Sequence, residues 1–131
     1  MTITKTVWQK DHEFVSHLDH NTIKIDGSRK HGFGAKPLLL AGLAACSGID
    51  VVDILKKMRV RFTDLAIEVK SEQTDTFPKV YKDIYVLYQV KTKKENEEKV
   101  KKAIDLSLEK YCGVAAMLRK NSKIHYQLEI I

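Results

Sequence analysis

Two cysteines, Cys46 and Cys112, are the residues of this chain that offer chemistry beyond folding. A thiolate is a nucleophile. One that attacks a peroxide O–O bond becomes a sulfenic acid, and a second thiol condenses with it to a disulfide. Taken singly, Cys46 reads as a small core hydrophobe, the commoner fate of a free cysteine. Its neighbours Ala44, Ala45, Ser47 and Gly48 are small, so another element or a small ligand has room to approach the sulfur. Cys112 follows Glu109 and Tyr111 and precedes Gly113. The pair becomes an enzyme only if the elements carrying it bring the two sulfurs face to face.

Those elements are legible. From Pro37 the chain runs through an apolar stretch and then Val-Val-Asp-Ile-Leu-Lys-Lys-Met58. Proline suits a first helical turn and the run is too long for a strand, so a helix is predicted over 37–58. Its first half is apolar on nearly every side, which predicts burial all round, while Asp50, Asp53 and Lys57 share one face. Residues 95–119 are a second helix, with Val100, Ile104 and Leu108 at a spacing of four and a break predicted at Gly113. Before the first helix, alternating and β-branched stretches around Val7-Trp8, Glu13–Leu18 and Thr22–Ile25, separated by polar turns, predict three strands. Alternation over 62–71 and 79–92, joined by a polar connection ending in Pro78, predicts a β-hairpin, and Lys123 to Ile131 a closing strand. The order is βββ-α-ββ-α-β: an α+β fold, with two central helices packed on antiparallel sheet.

Composition narrows the class. At 131 residues, with 44% hydrophobic and 31% charged, the chain fits a single domain spanning 1–131 that folds without disulfide staples. The opening residues show no basic stretch followed by an apolar run, and no run approaches the ~18 apolar residues of a membrane span. A cytoplasmic protein with no membrane partner is predicted, and in that compartment cysteines are reduced or redox-active rather than structural. The net charge of +6 comes from lysines interleaved with acids, as in Lys94-Glu-Asn-Glu-Glu-Lys99, and aromatics are only 8%. That is a solvated surface and not a nucleic-acid footprint.

Two segments carry a resemblance. Leu40-Ala-Gly-Leu-Ala-Ala-Cys-Ser-Gly-Ile-Asp-Val-Val-Asp-Ile-Leu-Lys-Lys-Met58 resembles the first cysteine helix of the OsmC/Ohr superfamily, in its OsmC-like branch, and Asp105-Leu-Ser-Leu-Glu-Lys-Tyr-Cys-Gly-Val-Ala-Ala-Met-Leu118 resembles the second. Both are long, lie in the right order and flank the expected hairpin. The resemblance implies an intertwined homodimer with each cysteine pair near the subunit interface. It also implies reduction of organic hydroperoxides in oxidative-stress defence, with Cys46 peroxidatic, Cys112 resolving, and a dithiol or lipoyl-protein reductant closing the cycle. No cofactor and no metal is implied.

One part of the family pattern differs. Its hydroperoxidases activate the first cysteine with an arginine from the N-terminal strands, held by a glutamate shortly before the cysteine helix. No arginine precedes Arg29 here, and the glutamate region reads Ala35-Lys-Pro-Leu38. Lys10 and Arg29 are the candidate cations to stabilise a thiolate. A non-catalytic small-molecule binding or redox-sensing dimer on the same scaffold is therefore the alternative function.

Asp50, one turn beyond Cys46, and Glu109, three residues before Cys112, are placed to orient a cation or act on a proton, though a nearby carboxylate raises a thiol pKa. For Asp50, plain solvation of a helix face is an equal reading. The five histidines lack the close spacing of zinc ligands and are read as exposed. Gly32-Phe-Gly34 lacks the third glycine of a dinucleotide loop, which leaves a flexible rim on which Phe33 is a candidate wall of the substrate pocket.

Overall fold

A computed structural model describes residues 1–131, and the chain forms two compact units, Met1–Leu39 and Leu40–Ile131. The first unit is an antiparallel sheet of β1 (Lys5–Lys10), β2 (Glu13–Leu18) and β3 (Asn21–Asp26), in that order. Asp11 and Asp19 open its two tight hairpin turns at φ 47° and 53°. Short polar side chains tolerate the left-handed backbone that such turns demand, which is why turns were legible at both positions. Trp8, Phe14 and Ile25 stand directly opposite one another on one sheet face, yet Trp8 is 62% exposed.

Helix α1 spans Pro37–Lys57, within a residue of the predicted bounds. Pro37 lacks only a donor that a first turn leaves unpaired anyway. The helix closes when Arg59 N–H donates to Lys56 O at 3.0 Å and Val60 N–H to Leu55 O at 2.9 Å. Arg59 takes the left-handed conformation at φ 59°, where glycine is usual.

In the second unit, β4 (Asp64–Gln73) pairs antiparallel with β5 (Tyr81–Lys91), and β6 (Ile124–Ile130) pairs with β5 in parallel. The sheet is thus mixed. A strand reached by a helical crossover from its neighbour runs parallel to it, and strand periodicity alone is blind to direction. The crossover is a short 3-10 turn at Lys94–Asn96, α2 (Glu97–Leu106), a π-helical turn (Ser107–Tyr111) and α3 (Gly113–Leu118). The single helix predicted over 95–119 therefore breaks at Cys112, immediately before the glycine proposed as the break.

The core gathers Leu43, Val51 and Leu55 of α1, alternate residues Ile84, Val86, Tyr88 and Val90 of β5, and Val100, Ala103 and Ile104 of α2. One expectation for α1 is corrected. The helix is buried along one face rather than all round, since Ile49 is 64% exposed and Ala45 is exposed too. The apolar core of this unit lies on one side of the helix only. On the other side Ala41, Ala44, Gly48, Ile49, Leu65 and Ile67 line an open apolar groove. The helix is also long and apolar enough, by length and composition, to cross a membrane, with a mean hydropathy of 2.0 over its best window. Small residues and two aspartates interrupt the apolar run, and Leu43, Val51 and Leu55 of the same helix are fully buried in the core.

Candidate functional site

Cys46 projects half-buried from α1, one residue before the fully buried Ser47. Cys112 is buried at the N-terminus of α3, where its sulfur accepts the Ala115 N–H at 3.4 Å. Both cysteines are free; Cys46 is a near enough neighbour to contribute to the raised Cys112 pKa, and Ser47, next to Cys46, is hydrogen-bonded by Ser107 of the turn that leads to Cys112. The two cysteine-bearing segments therefore meet within the second unit. Burial is the main force pushing the Cys112 thiol up to about 11, the neighbouring Cys46 adds to the rise, and the Ala115 N–H opposes it.

The placing of Cys112 depends on the π-helical turn. Cys112 N–H donates to Ser107 O at 2.7 Å, a bond spanning five residues rather than four. Such turns are rare and concentrate at functional sites. Arg119 Nη1 also donates to Leu108 O at 2.7 Å, satisfying a carbonyl in that turn.

Beside the sulfurs runs a buried chain of hydroxyls that sequence reasoning did not find. Tyr88 Oη and Ser47 Oγ are 2.6 Å apart, Ser47 Oγ and Ser107 Oγ 2.8 Å, and Ser107 Oγ donates to Asp50 Oδ2 at 3.0 Å. Tyr88, Ser47 and Ser107 are fully buried. A buried hydroxyl left unpaired costs roughly 1–3 kcal/mol, so these groups persist in the core because they satisfy one another. Burial pushes the Tyr88 phenol up to about 12, with smaller contributions from the charges of Cys112 and Asp50. Asp50, for which solvation and a site role were equal readings, turns toward Ser107. The only sequence signal was serine at two otherwise apolar helical positions.

Glu109 is exposed, and its charge bears on Tyr126, whose hydroxyl donates to Asp105 Oδ1 at 2.7 Å. Lys10, Arg29 and Phe33 belong to the first unit. Lys10 sits exposed opposite Glu13 at the end of β1. Arg29 holds a left-handed backbone at φ 62°, and Phe33, 54% exposed, forms a bridge with Ile25.

That unit contains a second polar cluster. Glu13 and Asp26 face each other across β2 and β3, both buried, and with His31 their ligand atoms fall within 4.8 Å of one another. The carboxylates already have partners. Lys24 Nζ is 3.1 Å from Glu13, while Asp26 accepts the Ser28 N–H and hydroxyl, each at 2.8 Å, and the His31 N–H at 2.9 Å. The cluster thereby clamps the base of the glycine-rich loop. The Ser28 bonds lead in lowering the Asp26 carboxyl from 3.8 to about 2, against the opposing effect of burial. A depressed carboxyl stabilises the folded state above its unfolded value and loses that contribution as pH falls through the folded one. The Ser28 and His31 amide resonances are accordingly expected to titrate near pH 2; a midpoint at 3.8 would mean that the clamp is not formed.

Comparison with known proteins places this geometry. A family model described as OsmC-like protein matches residues 26–127. The chain is similar to Protein YhfA of Escherichia coli strain K12, 35% identical over 94 residues that cover 72% of this chain and 70% of that protein. Among solved structures it is similar to a hypothetical protein from Aquifex aeolicus VF5, at 28% identity and a TM-score of 0.84, covering 100% of this chain and 98% of that one. It also shares its fold with the organic hydroperoxide resistance protein OhrB of Bacillus subtilis, at 19% identity and a TM-score of 0.66, with 98% of each chain covered.

Proposed function

The chain belongs to the OsmC-like protein family, and on that premise we propose that it reduces organic hydroperoxides through Cys46 and Cys112. The observation that carries this reading is that two free cysteines lie on segments joined by the Ser107–Ser47 hydrogen bond, at the junction of α1 and the π-helical turn. Cys46 is the attacking sulfur, because burial holds Cys112 as a neutral thiol, the unreactive form.

In the first step the Cys46 thiolate attacks the outer peroxide oxygen. The S–O bond forms as the O–O bond breaks, and the departing alkoxide takes a proton to leave as an alcohol. In the second step Cys112 sulfur attacks the sulfenic sulfur. The S–S bond forms, the S–O bond breaks, and hydroxide leaves as water with the Cys112 proton. A dithiol or lipoyl-linked reductant then returns both thiols by exchange. Lys10 and Arg29 are the cations proposed to favour the Cys46 thiolate, Phe33 is the proposed pocket wall, and the whole chain acts as one OsmC-like domain in the cytoplasm. The exposed Trp8 face of the first sheet and the open groove beside α1 support a homodimer, since each is an apolar surface that a second copy would cover.

A second reading, a redox-sensing or small-molecule-binding dimer without turnover, is favoured by Ala35-Lys-Pro-Leu38 standing where the family's hydroperoxidases carry glutamate. Peroxide consumption under excess dithiol separates the two. Many equivalents consumed per chain support the enzyme, whereas a halt after one equivalent supports the sensor.

A further inference from the structure

We infer that Ser107, with Ser47, Asp50 and Tyr88, forms a latch that holds the π-helical turn against α1 and so sets the rate at which Cys112 closes the disulfide on Cys46. This rests on the proposed pairing of the two cysteines and deepens it: these are positioning residues, acting through the backbone that carries each sulfur.

The geometry centres the latch on Ser107. Its hydroxyl is within donating distance of two acceptors, Asp50 Oδ2 at 3.0 Å and Ser47 Oγ at 2.8 Å, and a carboxylate accepts without donating. Ser47 Oγ and Tyr88 Oη share a further hydrogen bond of 2.6 Å. One connected set of hydroxyls thus ties β5 and α1 to the π-helical turn. Ser107 is the junction, because its carbonyl also holds Cys112 N–H at 2.7 Å. On the opposite side Ser47 follows Cys46 directly and Asp50 lies one turn beyond it. Moving Ser107 moves Cys112 relative to Cys46, and disulfide closure tolerates only a narrow range of separations. A misplacement of about 1 Å costs on the order of a hundredfold in rate for a step that depends on such alignment.

The closure step can be isolated without peroxide by using an aryl disulfide, dithiobis(nitrobenzoate). The Cys46 thiolate attacks it, forming a mixed disulfide and releasing one aryl thiolate. Cys112 then attacks the Cys46 sulfur, forming the protein disulfide and releasing a second aryl thiolate and a proton. In the native protein both phases are expected. In Ser107→Ala the second phase is expected to slow at least about tenfold while the first stays within about twofold. Tyr88→Phe, which removes only the outermost hydroxyl, is expected to give a smaller slowing in the same direction. A general loosening of the fold would instead speed the first phase by exposing Cys46, so the split between phases distinguishes positioning from stability. If Ser107→Ala does not fold, Asp50→Asn and Tyr88→Phe decide the question together. Native closure rates in every folded variant would overturn the latch and leave the cysteine pairing intact. A native protein that releases only one aryl thiolate would overturn the pairing itself, and the latch with it.

Discussion

Replacing Cys46 with serine is expected to lower dithiol-driven hydroperoxide turnover at least about a thousandfold, a loss of roughly 4 kcal/mol of transition-state stabilisation. The two side chains are nearly the same size, so the half-buried position on α1 keeps its packing. What changes is the nucleophile, because a serine hydroxyl without a base does not ionise near neutral pH and oxygen is far less nucleophilic toward a peroxide than sulfur. Cys112→Ser should behave differently. It retains the attacking sulfur but cannot form the disulfide, so one equivalent of peroxide should be consumed and the sulfenic acid should persist. A dimedone adduct on Cys46, seen by mass spectrometry, would record it. Undiminished turnover in Cys46→Ser would remove the enzyme reading altogether, and an adduct on Cys112 would reverse the two roles.

The pH dependence of disulfide closure carries the second large effect. Burial pushes the Cys112 thiol up to about 11, so the reactive thiolate is scarce near neutrality. Each unit of pH below that value changes the thiolate fraction about tenfold, so the second phase of the aryl-disulfide reaction should accelerate roughly a thousandfold from about pH 7 to about pH 10. Once Cys46 is held in a mixed disulfide, its contribution to the rise disappears, and the plateau should begin somewhat below 11. Stability moves the opposite way. A thiol raised from 9.0 to about 11 by folding stabilises the fold below 9.0, and that contribution is lost as pH climbs through about 11. Stopped-flow absorbance of the released aryl thiolate follows the rate directly. A flat profile over those three units of pH would show that Cys112 is not the attacking group.

How much of this was written in the sequence differs from residue to residue. The four-residue spacing of Val100, Ile104 and Leu108, the proline at the start of α1 and the aspartates in the first hairpin turns act within one or two turns of the chain. They specified the elements, their order and the cysteine helices. The break at Cys112 was also legible, because glycine follows it, although its π-helical form was not. Periodicity could not show that β6 lies parallel to β5, since alternating side chains look the same in either direction.

The site divides along the same line. Sequence alone determined that Cys46 and Cys112 sit on two apolar helical segments of an OsmC-like chain. Tertiary structure decided that the segments carrying them meet, that Asp50 turns inward, and that Ser47, Ser107 and Tyr88 complete a buried chain of hydrogen bonds to it. Ser47 and Ser107 are 60 residues apart, and Ser47 and Tyr88 are 41. No local preference reports a bond across such a distance. A serine in an apolar helix can face solvent, bond its own backbone or find a distant partner, and only packing of the helices on the sheet selects among these. The same holds for Glu13 and Asp26, two acids that strand register pairs and buries together.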